Sequence, residues 1–183
     1  MIYKQAVMMN GFDINKCNFN LSFGGANNKP KRALWTSTYK DNPSHIGWIE
    51  WCYYNMPDWI EDELYLLIPK PETEVYEIDT IDDYLSEELV KLSIYNNPMG
   101  PLINYQAMCD KGYDGIHFSS RAAALGHSFE FDDKLTWDVS LSLNTIDCES
   151  TVWFNTNWIS SVGRITNTLK NDVKLYMEVD YHE

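Results

Sequence analysis

Short runs of β-branched and aromatic residues recur along this chain, and the helical patterns between them follow no strict β-α-β alternation. That arrangement points to an α+β domain, several strands with helices inserted. The opening MIYKQAVMM reads as a strand leading into Asn10-Gly11. Residues 15–31 are rich in Asn and Gly and read as one long loop, and long loops in compact domains are often functional. ALWTST predicts a strand over 33–38, and Ser44 is placed to cap a helix over 45–55. Trp48, Trp51 and Cys52 fall at helical spacing along that helix, and Pro57 ends it. Strands are expected over 63–69 and 74–79. Thr80 and Asp83 form a capping-box pattern for a helix over 81–95. A second helix is expected over 102–111, ending at Gly112, and then a turn into a strand over 113–120. Residues 121–138 read as an excursion, 139–155 as strand-rich, 157–165 as a loop or short helix, and 173–180 as a closing strand. No internal repeat or low-complexity tract interrupts the series.

The 183 residues suffice for one well-filled domain spanning 1–183, because about 70 % of the surface of an unfolded chain this long can be buried. No apolar run approaches the ~20 residues of a membrane helix. The N-terminus lacks a basic stretch followed by a long apolar core, so no signal peptide is expected. Basic residues number 14 against 27 acidic ones, a net charge of −13. Phosphate neutralisation dominates duplex binding, so nonspecific nucleic-acid binding is not expected. Between Pro57 and Leu92 stand twelve Asp or Glu and two Lys. Such a run is a solvated face or a surface that docks on a basic partner, for instance by imitating nucleic acid. Cys17, Cys52, Cys109 and Cys148 are scattered, without a C-x-x-C pair or a His at ligand spacing. They read as reduced, mostly buried thiols of a cytoplasmic protein with no metal site. Cys148 has no adjacent His base and reads as a neighbour of the site, not a nucleophile.

The chain has no G-x-S-x-G elbow, Walker A loop, H-E-x-x-H or G-x-G-x-x-G. Its chemistry is carried by polar groups inside aromatic, strand-like stretches. Thr36-Ser37-Thr38 follows Leu34-Trp35. The hydroxyls reflect β-propensity alone, or they form a row that orients a carboxylate and a ribose beside a stacking aromatic. Asp147 and Glu149 precede the apolar run Val152-Trp153-Phe154. On a strand they share a face, where they mark a turn or form a paired acid site. Tyr113-Asp114-Gly115-Ile116 reads as a tight entry to a strand. Gly24-Gly25, Lys29, Lys31 and Arg32 make a local basic loop, which is a mobile surface loop or a cradle for an anion such as pyrophosphate.

In their order, these pieces resemble the ADP-ribosyltransferase-like fold of phage and bacterial toxins and modifiers. The series is LWTST on a strand, an aromatic helix, EVYEID, the turn Lys111-Gly112-Tyr113-Asp114-Gly115-Ile116, then Glu149 ahead of Val152-Trp153-Phe154-Asn155. The resemblance touches about residues 3–165 through short motifs. It implies a split mixed or antiparallel sheet with inserted helices, and NAD as the substrate from which ADP-ribose is transferred to a host macromolecule. Glu149 matches the family's catalytic glutamate. It would bind the nicotinamide-ribose 2′-OH and stabilise an oxocarbenium-like transition state. Asp147 matches the position that helps choose the acceptor, where Glu or Gln is usual. Ser37, between Thr36 and Thr38, would hold Glu149, and Trp35 or Tyr39 would stack on nicotinamide. The family's first-strand Arg or His is missing, and Lys4 or Arg32 is the candidate substitute. The spacing from Glu149 to Phe154 is one residue longer than usual.

Two other readings stand beside this one. On the same scaffold, an acidic interaction protein would block a nucleic-acid-binding enzyme of the host, as anti-defence proteins do. A glycosidase-like hydrolase would use Asp147 and Glu149 on a sugar without NAD.

Overall fold

The computed structural model describes residues 3–23, 29–89, 102–127 and 143–180. Nine strands and five helices lie wholly within the described residues, with short 3-10 turns between them. In chain order they are β1 (Gln5–Met8), β2 (Asn20–Phe23), β3 (Pro30–Arg32), β4 (Leu34–Thr38), α1 (Gly47–Asn55), β5 (Leu64–Pro69) and β6 (Val75–Ile78). There follow α2 (Ile81–Tyr84), α3 (Tyr105–Lys111), β7 (Gly115–Phe118), α4 (Ser120–Gly126), β8 (Ser150–Trp153), β9 (Ile159–Thr166) and α5 (Leu169–Asp180). Seven strands form one mixed sheet in the order β6-β7-β8-β4-β1-β5-β9, and β2 pairs with β3 separately. Only the β6–β7 pair of the large sheet is parallel; the other neighbours run antiparallel. No helix among the described residues is long and apolar enough to cross a membrane.

The sheet opens in its middle. β1 meets β4 at only two positions, Gln5 opposite Thr38 and Ala6 opposite Ser37. Beyond that join, Val7 and Met8 pair with β5, and Leu34, Trp35 and Thr36 pair with β8. Each half has its own helical cover. On the β6–β7–β8 half, Ile78, Ile116 and Val152 pack under Tyr84, Met108 and Ala122 of α2, α3 and α4. On the β1–β5 half, Ala6 and Leu64 pack under Ile49 and Cys52 of α1 and under Leu169 and Val173 of α5. A third cluster closes the opposite face, where Trp153 and Trp158 stack at 3.6 Å with Val7, Leu34 and Leu67 around them. Alternation of side chains along each strand puts Leu34, Thr36 and Thr38 on this face and Trp35 and Ser37 on the helical one.

Several local expectations hold. Thr80 and Asp83 make the reciprocal capping box, and Gly112 ends α3 at φ 109°, a left-handed position that favours glycine. Others change. Most of the stretch 157–165 belongs to the edge strand β9, which starts at Ile159, because β5 offers it a ladder that its own Ser- and Gly-containing sequence does not advertise. The closing strand over 173–180 is instead part of α5. Leu169 and Val173, one helical turn apart, are both buried while Asn171 between them is exposed, a pattern that a period of two does not produce. The long loop over 15–31 contains a 3-10 turn and the β2–β3 hairpin, with its Gly24-Gly25 outside the described residues.

The helix from Thr80 breaks after one turn at Leu85, residues 87–89 are helical again, and the rest of the expected helix, 90–95, lies outside the described residues. α3 begins at Tyr105 under an Asn104 cap, not at residue 102. α1 begins at Gly47, and Ser44 sits in a preceding 3-10 turn that Asn42 caps. Strand structure within 139–155 is confined to Ser150–Trp153 among the described residues. Within the expected excursion, Ser120–Gly126 is helical and 128–138 lie outside the described residues.

Candidate functional site

The join between the two half-sheets is also where the polar residues converge. Extending the β4–β8 register past Thr36 opposite Thr151 sets Thr38 opposite Glu149. Glu149 is 8 % exposed. The Thr38 N–H donates to both of its carboxylate oxygens at 3.1 Å, and Thr38 Oγ1 donates to Oε1 at 2.9 Å. His117 Nδ1 lies 3.5 Å from Oε1 and 2.9 Å from Thr151 Oγ1. Ser37 binds Glu149 differently from the expected contact. Its hydroxyl donates to the backbone carbonyl of Glu149 at 2.9 Å and accepts the Trp48 N–H at 3.0 Å. Ser37 therefore ties β4, the start of β8 and the start of α1 together, while Thr38 holds the carboxylate.

Gly47 makes this closeness feasible. A Cβ at that position would stand 2.8 Å from the Glu149 carbonyl oxygen and 3.2 Å from Oε2. No larger residue fits without moving the helix or the strand end.

Two cavities flank the join. On the helical face, the opening between β1 and β4 holds one of about 410 Å³, lined among others by Trp35, Trp48, Ile49, Lys29, Asp147 and Cys148. That volume is within the ~300–1,000 Å³ typical of small-molecule sites. Lys29 Nζ is 3.3 Å from Asp147 Oδ2 and 5.4 Å from the centre of the Trp35 ring. On the other face, a pocket of about 90 Å³ is bordered by Tyr3, Gln5, Thr38, Glu77, His117 and Thr151. The carboxylate of Glu149 belongs to this second side through its contacts with Thr38 and His117. Asp147 and Glu149 thus do not share a strand face. Residues 147–149 precede β8 as a bend, and the two acids engage different partners.

The remaining expected ligand residues divide. Trp35 lines the larger cavity. Thr36 also borders that cavity, but its hydroxyl is committed to the core: it accepts the Trp153 indole N–H at 2.7 Å and donates to Gln5 Oε1 at 2.7 Å. Tyr39 packs against the α1–α5 cluster. Lys4 is exposed, lines neither cavity, and has its carbonyl bonded by the Tyr39 N–H at 2.8 Å. The first-strand residue opposite Thr38 is the neutral Gln5. Arg32 lines a separate open groove with Asn20, Asn104 and Gln106. Burial, reinforced by the Glu149 and Asp147 charges, pushes the Cys148 thiol up to about 12, so it stays protonated and is a poor nucleophile. Among the described residues no three His, Cys, Asp or Glu side chains gather as metal ligands do.

Sequence reasoning missed Gln5, Gly47, Trp48 and His117 as members of this region, while Lys29 was already part of the candidate anion cradle. The alternation within Gly115–Phe118 gave a signal for His117, since it places that ring on the same face as Thr151. Nothing local marked Gly47, whose constraint acts through space. Compared with known proteins, the chain matches no family model, no curated protein and no solved structure.

Proposed function

We propose that this protein binds NAD in the opening of its sheet and acts as an ADP-ribosyltransferase-like enzyme on a macromolecular acceptor. The observation that carries the reading is the aromatic cavity of about 410 Å³ in the gap between β1 and β4, beside the place where the LWTST strand holds Glu149. Trp35 and Trp48 offer faces for a nicotinamide ring. Lys29, at 3.3 Å from Asp147, is the cation placed to receive a phosphate in exchange for that carboxylate. The cavity takes the nicotinamide riboside end, and the rest of the dinucleotide extends outward.

In the transfer, the bond between the ribose C1′ and the nicotinamide nitrogen breaks and nicotinamide leaves with the bonding pair. An acceptor nucleophile then bonds to C1′ and loses its proton. A carboxylate beside C1′ stabilises the positive charge between these events. Glu149 supplies it by turning about its side-chain torsions from Thr38 and His117 toward the cavity, since its carboxylate rests on the opposite face.

The test separates binding from turnover. NAD titration followed by tryptophan emission should show saturable quenching that Trp35→Ala weakens. Nicotinamide release should occur in the wild type and be lost in Glu149→Gln, with NAD binding retained. Absence of both quenching and release at millimolar NAD would overturn the reading.

A further inference from the structure

A second surface lies next to this cavity and shares one residue with it. Trp48 and Trp51 of α1 stack with ring centres 5.0 Å apart, and Trp59 stands 6.2 Å from each. Trp59 is 52 % exposed. Tyr54 and Met56 are exposed at the end of α1, and Met9 is exposed just after β1. Isolated exposed apolar residues need no explanation, but a contiguous aromatic patch marks a contact surface.

The charge along this stretch of the chain is one-sided. From residue 41 to residue 69 the chain has no Lys or Arg. Glu50, Asp58 and Glu61 are exposed within the same stretch of sequence as the tryptophans. The basic residue that β9 brings toward this end, Arg164, is paired with Glu63 at 2.9 Å.

We infer that this tryptophan platform docks an arginine-bearing basic segment of a protein partner. Tryptophan is the best aromatic partner for a guanidinium, and the carboxylates of this stretch supply the complementary charge. A nucleic-acid strand would also stack on tryptophan, but its phosphates would meet a protein of net charge −13. The inference is independent of NAD chemistry, because binding is read without NAD.

The probe is a fluorescein-labelled peptide of five Arg-Gly repeats, followed by anisotropy at 0.15 M salt, where screening acts over about 8 Å. Saturable binding is expected. Trp59→Ala should weaken it about tenfold, the loss typical of a truncated aromatic anchor. The double variant Glu50→Gln, Asp58→Asn should weaken it similarly without touching the tryptophans. The double variant Glu72→Gln, Glu74→Gln removes the same charge beyond the far end of β5, about 20 Å away, and should change affinity less than twofold. Circular dichroism confirms that each variant is folded. Lack of saturable binding, or equal losses from the near and far charge pairs, would overturn the inference. So would Trp59-dependent binding of oligothymidylate or a neutral oligosaccharide with affinity equal to the peptide's.

Discussion

Glu149 is a buried carboxylate whose fixed position depends on a residue with no side chain. The missing Cβ of Gly47 admits both the carbonyl and the carboxylate of Glu149. Gly47→Ala should therefore cost about 1–3 kcal/mol in urea unfolding, the range for forcing an extra methyl into filled space. Gly163→Ala is the control, because a Cβ there meets nothing within 4 Å and should leave the midpoint nearly unchanged. At this scale the sequence disclosed chemistry better than contact. The hydroxyls of LWTST and the acid before β8 were visible as residue types. That Thr38 takes the carboxylate, Ser37 the carbonyl and Thr36 the Trp153 indole follows from strand register, which no local motif records.

The elements divide by what stabilises each one. α3 was legible because Asn104 caps it and Gly112 ends it with local hydrogen bonds. β9 and α5 were misread because their form is set by distant partners. β9 is an exposed edge strand held by β5, and α5 is fixed by the burial of Leu169 and Val173 against Ile46, Ile49 and Cys52. Leu169→Ala should lower stability by about 2–5 kcal/mol, as deletion of a buried leucine does, with a matching fall in the urea midpoint. Lys170→Ala, one position on and exposed, should stay within about 0.5 kcal/mol. A strand would group Asn171 with Leu169 and Val173, and Asn171 is exposed; equal tolerance at leucine and lysine would count against the burial of Leu169.

Across the whole molecule, the acidic run of residues 57–92 is not one continuous face. Glu61 to Glu63 precede β5, whereas Asp82 to Glu88 follow β6 at the opposite edge of the sheet. Five strand spacings, about 24 Å, separate β5 from β6. Several of these acids also have structural partners. Glu63 accepts the Gly11 N–H and pairs with Arg164, and Asp83 closes the capping box.

Alkaline pH should expose a different vulnerability. Burial pushes Cys52 up to about 11 and Cys148 and Tyr113 up to about 12, so each ionises in the unfolded chain first. The folded state then holds more protons, and stability falls as pH rises. Their contribution is full below about pH 8 and is lost between about pH 9 and 12. Urea midpoints at pH 7, 9 and 10.5 should decline in that order, and Cys148→Ala should decline less. A flat series would contradict the burial of these groups.

By itself the sequence determined the mixture of strands and helices, the turns and caps with local donors, and the residue types gathered near Glu149. These rest on backbone preference and short-range hydrogen bonding, which act within a few residues. Only the tertiary structure decided that the sheet opens between β1 and β4, that Asp147 and Glu149 serve opposite faces, and that β9 is a strand while α5 is a helix. Those outcomes depend on register and on burial against residues far along the chain. A shift of one residue in a strand reverses every side chain's face, and no local pattern specifies which shift the core will accept.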